Sequence, residues 1–128
     1  MKPVFFASAS TLRAWLQKHH AREREFWVGF HKRGSGKLSI TWPEAVDALL
    51  CFGWIDGIRK SVSATSYTIR VTPRKRGSKW SAINVKRVHE LKKSGFMHTA
   101  GWRAFEMRTA QNTYSYEQRN AVEPGGSL

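Results

Sequence analysis

Phe52-Gly-Trp-Ile-Asp-Gly57 is the stretch whose reading decides the fold. The apolar run Ala48-Leu-Leu-Cys-Phe52 before it reads as the end of a buried helix. Gly53 offers the left-handed exit that such an end needs, and Trp54 to Lys60 then reads as a strand. Working backwards, Thr41-Trp-Pro-Glu44 is a helix start: Thr41 caps, Pro43 suits the first turn, and Glu44 has capping-box spacing. Trp42, Ala45, Val46, Leu49 and Leu50 form the buried stripe of that helix. Working forwards, Ser61 to Ala64 reads as a turn. Tyr67, Ile69 and Val71 then alternate with Thr68, Arg70 and Thr72, the pattern of a half-buried antiparallel strand that Pro73 ends.

The flanks add the remaining elements. Leu12, Trp15, Leu16 and His19 share one face of a helix over 9–19, with Ser8 or Ser10 as its cap. Glu25 to Lys32 is an aromatic-rich strand, residues 33–37 a turn, and Leu38-Ser-Ile40 a short paired strand. Ser78 or Ser81 starts a third helix with Trp80, Ile83 or Asn84, Val88 and Leu91 on its apolar face. Lys92 and Lys93 complement its dipole and Gly95 stops it. Thr99 caps a fourth helix carrying Trp102, Phe105 and Met107. The expected fold class is α+β: one domain over 1–110, a small antiparallel sheet of roughly three to four strands packed with about four helices. Residues 111–128 read as a polar extension, partly disordered, with Pro124 to Leu128 a frayed tail.

The chain has 128 residues, 41% of them hydrophobic, with six Trp and seven Phe, which is enough for a packed core. Its single cysteine, Cys51, excludes an intrachain disulfide. With no disulfide framework, no export signal and no run of ~20 apolar residues, a cytoplasmic protein without a transmembrane segment is expected. The five histidines form no metal-ligand spacing, and nothing beside Cys51 supplies the donors a nucleophile needs. Neither a metal nor a cofactor is expected, and no residue stands out as catalytic.

Charge is the unusual feature. The formal net charge is +13. Between Gly57 and Phe105 twelve Lys or Arg face one acid, Glu90, a local net of +11. Such a surface attracts nucleic acid, anionic headgroups or acidic ligands. The loop Pro73-Arg-Lys-Arg-Gly-Ser-Lys-Trp80 is the leading candidate site. Arg74, Lys75, Arg76 and Lys79 surround the start of the third helix, where free amides and the helix dipole favour anions, and Ser78 adds a hydroxyl. The same residues also read, and more simply, as a solvated basic loop with a capping serine. Asp56, in an apolar run, needs a partner such as Arg59, Arg70 or Arg74, and is otherwise a ligand contact. Trp80, Tyr67, Trp54 and Trp102 are the rings nearest the basic segment, where stacking on bases competes with core packing.

Phe52-Gly-Trp-Ile-Asp-Gly57, Thr72-Pro-Arg, Ser78-Lys-Trp-Ser-Ala-Ile-Asn84, Gly95-Phe-Met97 and Ala100-Gly101 follow one another in an order that resembles the YdeI/OmpD-associated family, also described as bacteriocin-protection proteins. The resemblance spans about residues 5–110. It implies a bacterial, cytoplasmic, stress-linked protein and brings no catalytic residues. Longer members continue into a basic helical C-terminal segment that this chain does not carry. The family motifs coincide with the pocket candidates Trp54, Asp56, Arg74, Ser78, Trp80, Ser81 and Asn84, to which charge adds Arg76 and Lys79. The expected function is a non-enzymatic module that binds an anionic ligand or nucleic acid, with peripheral contact to anionic surfaces also open. A small-molecule enzyme or carrier with a pocket at Asp56 and Trp54, and a protein-interaction adaptor, are the alternatives.

Overall fold

The computed structural model describes residues 2–113; the extension from 114 onward, including the expected tail at 124–128, lies outside the described residues. The chain runs β1 (Pro3–Phe5), α1 (Ala9–His19), β2 (Phe26–His31), α2 (Trp42–Phe52), β3 (Trp54–Ser63), β4 (Ser66–Pro73), α3 (Ala82–Lys93) and α4 (Thr99–Glu106), then a short 3₁₀ turn (Ala110–Asn112). The sheet order is β1-β2-β4-β3. This is the expected α+β domain with four helices and four strands. Its sheet is mixed rather than wholly antiparallel, because β1 pairs with β2 in parallel, Pro3 opposite Trp27 and Phe5 opposite Gly29.

The helix caps are those that local chemistry demands. Thr41 and Glu44 form the reciprocal capping box of α2, with the Thr41 amide donating to Glu44 Oε1 at 2.9 Å. Ser8 caps α1 and Ser81 caps α3, its Oγ accepting from the Asn84 amide at 3.0 Å. For α4 the cap is His98 and not Thr99: His98 Nδ1 accepts from the Ala100 amide at 3.0 Å. The α3 face is Val85, Val88 and Leu91; Ile83 points outward, 76% exposed, because the helix begins at Ala82 and Trp80 lies ahead of it. Met107 is likewise exposed, just past the end of α4.

Strand residues divide cleanly between two faces. Phe26, Val28, Phe30, Ile69 and Val71 join Leu12 and Leu16 of α1, Leu49 and Leu50 of α2 and Val88 of α3 in the core. Trp15 stacks on Phe26 at 3.8 Å, and Trp54 meets both rings edge-on. The opposite face carries Trp27, Gly29 and His31 of β2 in register with Arg70, Thr68 and Ser66 of β4. β3 forms the outer edge, with breaks in register between Asp56 and Arg59 and between Ser61 and Ser63. The expected turn at 61–64 is therefore shorter: Ser61 to Ser63 stay in the strand, and the Ser63 and Ser66 hydroxyls meet at 2.7 Å across the hairpin. The segment Leu38–Ile40 forms no ladder. It is held by single bonds instead, Ser39 Oγ accepting from the His31 amide and the Ile40 amide donating to the Phe6 carbonyl. Nor does the ordered domain stop at 110: the Trp80 amide donates to the Asn112 carbonyl at 2.8 Å, and Trp80 bridges Thr113.

The α2–β3 junction fixes how these parts meet. Gly53 takes φ 76°, the left-handed value favouring glycine, and its carbonyl accepts from the Arg74 amide at 2.8 Å. The Cys51 carbonyl accepts from the His98 amide at 3.0 Å, and α4 crosses so closely that a Cβ on Gly101 would lie 2.1 Å from that carbonyl. Gly101→Ala should therefore force the two helices apart and lower the melting temperature by on the order of 10 °C, measured by thermal unfolding. An unchanged transition would show that the crossing is not tight.

His98 gives the fold a pH dependence. Its ring stacks on Phe52 at 4.6 Å and meets His20 at 4.9 Å. Burial, then the neighbouring His20 and Arg13, hold its pKa below the ordinary 6.5. The unfolded chain thus binds more protons, and the stabilisation is complete above about pH 6.5 and lost as pH falls through the lowered folded value. Denaturant titrations at about pH 7.5 and pH 5 should show this loss, and His98→Asn, which keeps a capping acceptor, should flatten it.

Candidate functional site

Arg74 leaves the end of β4 and lays its guanidinium over the Trp80 ring at 3.8 Å while Nη1 donates to the Lys79 carbonyl at 3.0 Å. Burial draws its pKa down to about 10, opposed by the charge of Asp56, so it stays charged at neutral pH. Its Nε is buried without a hydrogen-bond acceptor, as is that of Arg108, which lies over Phe105 at 3.8 Å. The ring faces offer these guanidiniums their nearest electron density. Arg74, Lys75, Arg76 and Arg108 line a recess of about 70 Å³ with Trp80, Ala104 and Met107. Arg74 and Lys75 also line a second recess of about 390 Å³, completed by Arg24, Arg70, Thr72 and Pro73. Six cations thus surround two recesses that share Arg74 and Lys75, and among the described residues no acidic one lines either. Arg70 is ion-paired with Glu25 at the rim.

The nine residues singled out in the sequence are only partly brought together. Arg74, Arg76 and Trp80 meet in the smaller recess. Ser78 closes the loop rather than facing a ligand: its Oγ accepts from the Lys75 amide at 2.8 Å and its own amide donates to the Lys75 carbonyl. Lys79 is exposed outside both recesses and contributes its carbonyl to Arg74. Ser81 is committed to its cap, and Asn84 lines a separate groove between α2 and α3. At the start of α3 the Asn84 amide is taken by Ser81, and the Trp80 amide just ahead of the helix by Asn112. Trp54 and Trp80, each 2% exposed, belong to the core. Asp56 is exposed on β3, so it shares no solvent-facing pocket with the buried Trp54. The sequence reading missed Arg24 and Arg108. The alternation of Arg70 and Thr72 was the available signal that the basic surface extends along β4.

Cys51 lies beside a cleft of about 340 Å³ between α1, α2 and α3. Burial pushes its thiol above the ordinary range, the opposite of an activated nucleophile. Arg87 grips Asp47 through two bonds of 2.6 and 2.8 Å and reaches Glu90 at 3.0 Å, which raises its pKa further and ties α3 to α2. No metal-holding group of His, Cys, Asp or Glu occurs among the described residues, and no helix among them is long and apolar enough to cross a membrane.

Fold and site together define a small basic α+β domain with a cationic recess at one end of its sheet. The chain belongs to the family described as Domain of unknown function (DUF8412), matched over residues 4–104. Neither a curated protein nor a solved structure matches it.

Arg74 differs from its neighbours in being packed. Arg74→Ala should cost about 1–2 kcal/mol of stability through the lost ring contact and carbonyl bond. Lys75→Ala and Arg76→Ala, at exposed positions, should stay within about 0.5 kcal/mol of the parent. Denaturant unfolding of the three variants checks this ranking.

Proposed function

We propose that the protein is a non-enzymatic module that binds phosphate-bearing polyanions at the cationic end of its sheet. The observation that carries this reading is the convergence of Arg24, Arg70, Arg74, Lys75, Arg76 and Arg108 on two adjoining recesses that no carboxylate lines among the described residues. A concave, one-signed surface focuses its field and concentrates anions. Arginine forks also suit phosphate oxygens geometrically. Thr72 offers a hydroxyl within the same recess. The resemblance to the YdeI/OmpD-associated family supports placing this module in the bacterial cytoplasm in a stress- or bacteriocin-linked role. It fits a protein that occupies anionic targets also sought by cationic peptides.

Binding of fluorescent DNA, RNA and inorganic polyphosphate at about 50 and 200 mM salt tests this directly. Affinity should fall by one or more orders of magnitude between the two conditions, since each phosphate contact releases counterions. Arg24→Ala with Lys75→Ala should weaken binding and lower the salt slope by about one to two. An equal charge loss at Lys18 and Lys93, which line neither recess, should change it less. Absence of binding at low salt overturns the reading.

A further inference from the structure

The sheet face turned away from the core presents rings and cations in one plane. β1 places Phe5 opposite Gly29, and Phe5 stacks on His31 at 4.3 Å while remaining 38% exposed. A Cβ on Gly29 would meet that ring at 2.7 Å, so the glycine is what lets Phe5 lie down on the sheet. Trp27, half-exposed, stands beside Arg70 in register, and Lys60 reaches over its ring at 5.5 Å. Lys60 stands opposite Thr68, which is itself opposite Gly29, so Phe5 and Lys60 lie in one row across the four strands. None of Trp27, His31, Lys60 or Arg70 belongs to the apolar core. Arg70 and Thr72, two residues apart on β4, continue this face into the larger basic recess.

We infer that this face binds single-stranded nucleic acid, with a base stacked on Trp27 and a second on Phe5, while the backbone runs into the recess. The inference rests on the polyanion reading and narrows its ligand. Duplex bases are already stacked on each other and cannot lie on a protein ring, whereas a single strand turns its base faces outward. Lys60 sits where a base would stack, and it moves to the phosphate beside that base. Arg70, Arg24 and Lys75 track the next phosphates. The ligand is selected as single-stranded by the rings and as a polyanion by the cations, and no hydrogen-bond reading of base edges is required. Of the rings nearest the basic segment in sequence, Trp54 and Trp80 do not serve because they are in the core.

The experiment compares oligothymidylate of about 12 nucleotides, a duplex of equal length and polyphosphate of similar charge, all at low salt. The parent protein should bind the single strand roughly five- to hundred-fold more tightly than polyphosphate. Trp27→Thr, which keeps a strand-forming residue, should reduce single-strand affinity by about five-fold or more toward the polyphosphate level, the Phe5 stack remaining, and leave polyphosphate binding unchanged. Trp27→Phe should restore it. If the parent binds duplex and polyphosphate as tightly as the single strand, or Trp27→Thr leaves single-strand affinity intact, the stacking inference is overturned and the polyanion reading stands. If none of the three ligands binds at low salt, both readings fail.

Discussion

The helix exit at Gly53 is the constraint on which the arrangement depends. Four elements meet within a few residues of it. α2 ends there, β3 begins, the Gly53 carbonyl holds the start of the basic loop through the Arg74 amide, and the Cys51 carbonyl holds the start of α4 through the His98 amide. These carbonyls belong to the last turn of α2, where a helix has no partners of its own to offer them. Burying that end would be costly without acceptor–donor closure, and the two long-range amides supply it. The left-handed turn at Gly53 and the absent side chain at Gly101 allow the approach. Loop position follows from core geometry. The cations of the loop are set by the backbone bond at Arg74 rather than by attraction to one another.

A surface with this much positive charge at one end must spread or compensate it. Two devices are visible. Among the described residues four guanidiniums lie over aromatic rings, Arg13 over Phe52, Arg59 over Tyr67, Arg74 over Trp80 and Arg108 over Phe105, which draws charge onto π faces without neutralising it. Asp47 and Glu90 are used on Arg87 and Glu44 on the cap of α2, while Glu25 pairs with Arg70 at the rim of the basic end. Three acids therefore brace the helices, and the sheet end keeps an excess of cations over the one acid paired there. The division agrees with a binding surface kept apart from the parts that hold the fold together.

Local chemistry made much of the fold legible. Thr41 and Glu44, Gly53, Gly95 and the alternation through Val71 each carry their structure in a few adjacent residues, and each is realised. β1 carried no such signal: three residues opening on proline have neither period nor propensity, and only pairing with β2 makes them a strand. The start of α3 was ambiguous because two serines precede it, and choosing between them decides whether Ile83 faces inward. For the candidate site, charge density pointed to the loop whose Arg74 and Arg76 line the smaller recess. Arg24 and Arg108 could not be foreseen, since they arrive through the pairing of β2 with β4 and the end of α4. Trp54 and Trp80 misled because a ring at an apolar periodic position is more apt to be buried than presented.

β3 has a further consequence. Among the described residues it is the last strand of the sheet, and no strand among them pairs with the outer side of its ten residues, a ready template for a second molecule. Two breaks in register bend that edge, and Arg59 and Lys60 make it repel its own kind. Colloidal stability and the proposed attraction for phosphate thus draw on the same charges. A polyanion supplied near electrical equivalence would strip away the mutual repulsion, so turbidity should be governed by mixing ratio and not by protein concentration alone.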